Sequence, residues 1–341
     1  MPSVGARRLF GVALAVALGL APQVSAAQSS RDAQIAAVSD WIATACTGPF
    51  GTFRVHPHGK YVSGYFGNII SIGLIAAKTR PDLALEWMKY YVGSAHDSAS
   101  GVDGVPDDVN IQADGSLKTR GRPDSTDAYG ATFMMVSRAA FESGDPALRD
   151  FVLAHKSDVL RIGESSLATQ QPNGLTWSRP QYRIAYAIDN MQVYRGMLDG
   201  AALVQEAFHD TATAARWRAA ANKTAHGIAT YLWEPATTSY RPYVNEHLEG
   251  PSADLSQPYP GALAQDMAIV YGLPDLTPQR DASILSRTFA SMSSPLANDE
   301  REYRLLYDLA KAHSGPHVDV PPFTPSDVCV DAGWYLMLAS F

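Results

Sequence analysis

The chain has 341 residues, 46% of them apolar and 18% charged, and a formal charge of −7. Apolar content at that level excludes a disordered chain, and the length allows one large domain or two modest ones. No run of Lys or Arg forms a basic tract, so nucleic acid is not an expected partner.

Residues 1–27 read as an export signal. Arg7 and Arg8 precede an apolar run from Leu9 to Ala21, and the small residues Ser25, Ala26 and Ala27 follow. The run is shorter than the about 20 residues of a membrane span, so no stable span is expected in the mature chain; an uncleaved anchor is the alternative. The arginine pair also fits twin-arginine export. The mature domain then covers residues 28–341 and is expected in the periplasm or the medium. Cys46 and Cys329 lack metal-site spacing, and in an oxidising compartment they either close one disulfide between the chain ends or stay buried thiols.

The predicted elements are almost all helices. The first runs from Asp32 to Cys46. A helix over Ile69–Lys78, a turn at Pro81-Asp82 and a helix over Leu83–Val92 follow. The pattern returns as Ala131–Phe141, a turn at Gly144-Asp145 and Ala147–Leu160. It comes again as Met191–Phe208, a turn at His209-Asp210 and Ala212–Leu232. The fourth copy is Ala262–Tyr271, a turn at Pro274-Asp275 and Leu285–Met292, and helices over Glu300–His313 and Asp327–Leu338 complete the chain. The turn aspartates Asp82, Asp145, Asp210 and Asp275 stand 63, 65 and 65 residues apart. That period is a helical hairpin plus a long connector, and long connectors suit a closed ring with loops gathered over one end better than an open array. The expected fold class is all-α, a single-domain (α/α)6 toroid.

If the first helix of each hairpin lines the ring, the inner N-terminal ends meet on one rim. The segments entering them are Tyr61–Asn68, Asp124–Tyr129 and Ala187–Asn190 with Tyr194 one turn later, and less clearly Tyr259-Pro260-Gly261 with Asp266. Carboxylates, amides and tyrosines at corresponding places are the composition of a sugar site.

Pro123-Asp124-Ser125-Thr126-Asp127-Ala128-Tyr129-Gly130-Ala131-Thr132-Phe133 resembles the Asp-Ser-x-Asp-Ser-Tyr-Ala-Ala-Thr-Phe pattern of six-hairpin glycosidase-like proteins. Asn173-Gly174-Leu175-Thr176-Trp177, followed by Ile188-Asp189-Asn190-Met191-Gln192-Val193-Tyr194-Arg195-Gly196-Met197, is similar to a second element of that group. The resemblance covers about Tyr61 to Leu232 and implies an (α/α)6 barrel with its cleft at the inner-helix N-terminal rim. It does not single out an activity, because the superfamily holds glycoside hydrolases, uronyl hydrolases and members of unknown activity. One departure concerns glycoside hydrolase family 8, whose members enter this inner helix with Ser-Glu and take their acid from it; this chain reads Ser63-Gly64.

Asp127, at a helix start where the dipole favours the carboxylate, is the expected catalytic base, and Asp189, behind the apolar Ala187-Ile188, is the expected acid. Helix capping is the competing role for both. Asp124, Tyr129, Asn190, Tyr194, Tyr65 and Asn68 are expected to bind substrate, and Trp177 either stacks on sugar or pins its loop. The connector from His96 to Arg122, with Asp103, Asp107, Asp108, Asn110 and Asp114, reads as a solvated acidic loop. His56-Pro57-His58 and His313 with His317 and Asp319 lack a third positioned ligand, so no metal is expected. Gly-x-Ser-x-Gly, Gly-x-Gly-x-x-Gly and Walker loops are missing from the sequence, and no cofactor is implied.

The expected activity is therefore glycoside hydrolysis of an oligo- or polysaccharide by carboxylate acid–base catalysis, with inversion. The rivals are a polysaccharide lyase with Tyr65, Tyr129 or Tyr194 as base, and a glycan-binding protein without turnover. Negative net charge argues against a polyanionic substrate, and the sequence leaves the oligomeric state open.

Overall fold

A computed structural model describes residues 30–96, 98–292, 301–315 and 318–341. The export segment and His317 lie outside them. Helix α1 covers residues 30–41 and ends in a wide turn over Ile42–Cys46. Then come α2 (Gly64–Ala76), α3 (Pro81–Ser94), α4 (Thr126–Glu142), α5 (Pro146–Ala154), α6 (Lys156–Ser165), α7 (Ala187–Ala207) and α8 (Thr211–Gly227). The last four are α9 (Leu263–Val270), α10 (Pro278–Met292), α11 (Arg301–His313) and α12 (Val330–Ala339).

The inner ring follows from which helices touch: α12 packs on α2, α2 on α4, α4 on α7, α7 on α9, α9 on α11, and α11 back on α12. Helices α2, α9 and α12 are apolar on nearly all sides, which suits elements covered by neighbours on both flanks. Helices α3, α5, α8 and α10 form the outer layer, with α6 packed against α4. The repeat aspartates start this layer. Asp145 accepts from the Ala147 and Leu148 amides and Asp210 from the Thr213 amide, satisfying donors that the helices leave open. Asp82 instead pairs with Arg80, and Asp275 with Arg280.

Two contacts need glycine. A Cβ on Gly196 would sit 2.3 Å from the Ala131 carbonyl oxygen where α7 crosses α4. One on Gly73 would sit 2.4 Å from the Gly333 oxygen, where α2 meets α12 and the ring closes. The closure is also covalent. Cys46 and Cys329 are disulfide-bonded across 283 residues, with Cα atoms 5.8 Å apart.

The predicted Ala147–Leu160 helix is two helices. His155 leaves helical dihedrals between α5 and α6, its Nδ1 lies 2.9 Å from the Phe151 carbonyl oxygen and its ring stacks on Phe151. The connectors also hold short strands that the sequence reading lacked: β1 (Tyr61–Val62), β2 (Asp108–Ile111), β3 (Leu117–Gly121), β4 (Ile184–Tyr186), β5 (Trp233–Glu234), β6 (Ser239–Tyr240) and β7 (Tyr243–Asn245). Strands β1, β2 and β3 form one antiparallel sheet beside the N-terminus of α2. Among the described residues no helix is long and apolar enough to cross a membrane.

Candidate active site

The N-terminal ends of α2, α4 and α7, the turn before α9 and the first turn of α11 surround a cavity of about 710 Å³. Its wall carries the carboxyls of Asp108, Asp124 and Asp189. Aromatic rings form much of the rest. Tyr65 packs against Phe66, Tyr182 against Tyr186, and Tyr259, 55% exposed, stacks on Tyr303. Gln192 reaches Tyr65 with its amide nitrogen, while its Oε1 is buried without a partner among the described residues.

Asp108 overturns the reading of its connector as solvated. Strand β2 pairs with β1 in the register Tyr61↔Asn110 and Val62↔Val109, and the β2–β3 register slips between Asp108 and Val109. A bulge of this kind re-aims a side chain, and here it sets Asp108 in the cavity wall. Tyr61 donates to Oδ2 at 2.6 Å and Tyr129 to Oδ1 at 2.9 Å. Ser63 Oγ lies 2.7 Å from the Tyr129 hydroxyl and completes the network. Burial pushes the Asp108 carboxyl up to about 6, against the pull of the two phenol hydrogen bonds. Asp107, its neighbour, is turned away and ties the loop by accepting from Ser98 and the Ala99 amide.

The Asp127 expectation needs correction, because this residue is fully buried behind the wall and does not line the cavity. Its Oδ1 accepts from Ser125 Oγ at 2.5 Å and from the Ala128 amide, and Oδ2 accepts from Thr176 at 2.5 Å. Ser125 is the N-cap of α4 and also lies 3.1 Å from Asp189 Oδ2. Ser125 Oγ thus bridges the two carboxyls, with the shorter hydrogen bond to Asp127 and the longer one to Asp189. The surroundings of Asp189 favour its acid form. Burial, then the charges of Asp127 and Asp124, push its carboxyl well above the ordinary range. Burial raises Asp127 as well, but its three donors favour the anion. Asp127 thus reaches Asp189 by hydrogen bonds only through Ser125 and does not open on the cavity.

Of the residues expected to bind substrate, Asp124, Tyr129 and Tyr65 line the cavity. The others have structural duties. Asn68 is buried, donates to the Tyr129 carbonyl oxygen and Thr132, and accepts from Trp87. Asn190 is buried and staples Thr176, accepting from its amide and donating to its carbonyl oxygen. Tyr194 is buried among the inner helices and donates to the Gly272 carbonyl oxygen. Trp177 lies outside the main cavity in a recess of about 240 Å³, beneath the Arg183 guanidinium. All four residues are of types that fit a sugar site, but the sequence pattern did not report which way each points.

Asp266 also faces away from the cavity. Its Oδ1 accepts from Thr288 on α10, Oδ2 has no partner among the described residues, and burial pushes the group up to about 8. The folded state therefore holds a proton that the unfolded chain releases near pH 4, so stability falls as pH rises toward and through about 8. Asp266→Asn, which cannot ionise, is expected to melt roughly 5 °C or more above the native chain at pH 9, with the gap shrinking toward pH 5. Parallel melting curves at both pH values would show that Asp266 is not the group responsible.

The space near Gly64 explains the departure from the family 8 pattern. A Cβ there would lie 2.7 Å from the Tyr129 ring, which occupies the place of a longer side chain.

No model of a known protein family matches the chain, and no curated protein matches it. Solved structures do. The GH63 mannosylglycerate hydrolase of Thermus thermophilus, in complex with glucose, superposes with a TM-score of 0.57 at 14% identity, covering 89% of this chain and 98% of that one. An α-amylase from Clostridium perfringens gives 0.58 at 11% identity, covering 91% and 97%. Rex8A of Paenibacillus barcinonensis, complexed with xylose, gives 0.54 at 13% identity, covering 91% and 93%. Helix order, ring closure and these superpositions agree that the chain is an (α/α)6 toroid with the six-hairpin glycosidase fold.

Proposed function

We propose that the chain is an exported glycoside hydrolase that cleaves an oligo- or polysaccharide, with Asp189 as general acid and Asp108 as general base. The observation that carries this reading is a pair of carboxyls opening on one cavity with their protonation pushed to different values. They flank the first turn of α4, Asp108 held through Tyr129 and Asp189 through Ser125. Asp189 protonates the leaving oxygen, and Asp108 takes a proton from a water on the other side of the scissile bond, giving inversion. The exposed Tyr259 ring offers an apolar sugar face a platform, and Asp124 and Gln192 serve hydroxyls. Export is supported by the signal pattern and by the disulfide.

A tyrosine-base lyase is a poorer fit for two of its three candidate bases: burial, more than any other cause, pushes the phenols of Tyr129 and Tyr194 up, away from the phenolate a base needs, and Tyr194 does not line the cavity.

The test is release of reducing ends from a panel of neutral and acidic glycans by the mature chain, followed across pH. The base must be ionised, so activity is expected to fall as pH drops through about 6. The acid must hold its proton, so activity falls again on the alkaline side. Asp108→Asn is expected to be nearly inactive and to lack the acid limb; an unchanged limb in that variant would remove Asp108 from the mechanism.

A further inference from the structure

The cavity also holds Arg120, Arg122 and Arg179, in a protein whose net charge is −7. The three are held differently from the ion-paired arginines of the protein. Arg138, Arg161, Arg216, Arg241 and Arg280 each pair with a carboxylate at 3.0 Å or less. None of the cavity arginines forms such a pair among the described residues; aromatic faces and carbonyl oxygens fix them. Arg120 lies 4.2 Å above the Tyr61 ring, and Arg179 lies 5.3 Å from the Tyr182 ring centre. Arg122 donates through Nε to the Ala99 carbonyl oxygen at 3.1 Å, and its two terminal nitrogens have no hydrogen-bond partner among the described residues. Arg179 reaches the Pro123 carbonyl oxygen from Nη1, while its Nε is buried without an acceptor among the described residues. Arg120 and Arg122 stand two residues apart where β3 ends, a spacing that sends both to one side of an extended chain.

Rings and carbonyls orient a guanidinium without neutralising it. The same wall carries the Asp108 and Asp124 carboxyls, and Asp108 interacts with Arg120 through its charge, so three guanidinium groups face two carboxylates and leave an excess of positive charge in a concave wall; that local potential, not the net charge, is what a bound ligand meets. Asp189 adds no opposing charge while it keeps its proton. We infer that the cavity receives an acidic saccharide, one with a ring carboxylate, and that Arg120, Arg122 and Arg179 hold that carboxylate. The inference rests on the glycosidase reading of the same cavity and adds the substrate class to it. Uronic acids have this chemistry, and the planar carboxylate matches the guanidinium fork. Negative net charge alone pointed the other way, because it averages over a surface the ligand never touches.

Carboxyl reduction gives a clean probe, since it turns a uronate into the corresponding neutral sugar with the same linkages. The Asp189→Asn chain is titrated calorimetrically with oligogalacturonates, glucuronate-bearing xylo-oligosaccharides and mannuronate oligomers. Each is compared with its carboxyl-reduced form and with a sulfated neutral oligosaccharide. At least one uronate series is expected to bind, with affinity falling by at least roughly tenfold on carboxyl reduction and by a similar factor in Arg179→Gln. Arg120→Gln and Arg122→Gln, both at exposed positions, are expected to weaken binding too, which keeps the test open if Arg179→Gln does not fold. Equal affinity for native and reduced forms, binding confined to the sulfated sugar, or arginine variants that bind as the parent does would each overturn the inference. Turnover separates the two readings. Uronate binding without reducing-end release by the native chain sinks the hydrolase and leaves the acidic ligand, whereas turnover confined to neutral glycans does the reverse.

Discussion

Asp189→Asn is expected to lower turnover by ~10²–10⁴-fold, with substrate affinity and melting temperature close to those of the native chain. The size follows from removing a general acid. Preserved stability follows from the raised pKa of the native group, for a neutral carboxyl and a neutral amide have the same shape, and among the described residues Ser125 is the one side chain hydrogen-bonded to it. A capping role predicts no such loss, because Asn caps nearly as well as Asp. Asp127→Asn provides the contrast. It leaves the cavity wall intact but removes the charge that helps keep Asp189 protonated, so its alkaline limb should move to lower pH. Full activity in Asp189→Asn would end the acid assignment.

The other large effect belongs to the disulfide. Joining residues 283 apart removes loop-closure entropy from the unfolded chain, which the entropy model puts at roughly 5 kcal/mol. The double variant Cys46→Ala, Cys329→Ala is expected to melt roughly 10 °C below the native chain. Activity at low temperature should survive, since neither cysteine lines the cavity. The backbone around the bridge is tied in addition by Arg54 to the Cys46 carbonyl oxygen and by Cys329 to the Val55 carbonyl oxygen, so the native geometry does not depend on sulfur alone. Coincident melting of oxidised and reduced protein would show that the bridge does not restrain the unfolded chain.

The ring was legible in the sequence because it repeats. Turn aspartates at a constant interval mark where outer helices begin, and they do so for a local reason, capping and first-turn charge, that needs no knowledge of the tertiary structure. Asp189 was legible for the same kind of reason, an acidic residue in the first turn of a helix behind apolar neighbours. Asp108 was not. A carboxylate in a glycine-rich connector looks solvated until the connector is known to pair. The signal was present in the alternating Asp108-Val109-Asn110-Ile111, the Asp114-Gly115 turn and Leu117-Lys118-Thr119, which together form a hairpin pattern. The direction of Asp127 was beyond pattern reading. Thr176 approaches it from a loop 49 residues away, and that contact turns the carboxylate under the helix end and out of the cavity.

The hairpin that carries Asp108 gives the proposed acid and base different freedoms. Helix α7 is packed between α4 and α9, so Asp189 cannot move without repacking the ring. Strands β2 and β3 touch the rest of the fold through the short β1 pairing, two phenol hydrogen bonds and the buried side chains of Val109 and Ile111. That one segment bears the base and, at its end, Arg120 and Arg122. It is in effect an interchangeable cassette. Replacing residues 95–122 would change the proton acceptor and two of the three cavity arginines together, while Asp124, Ser125 and the acid they act on stayed in place.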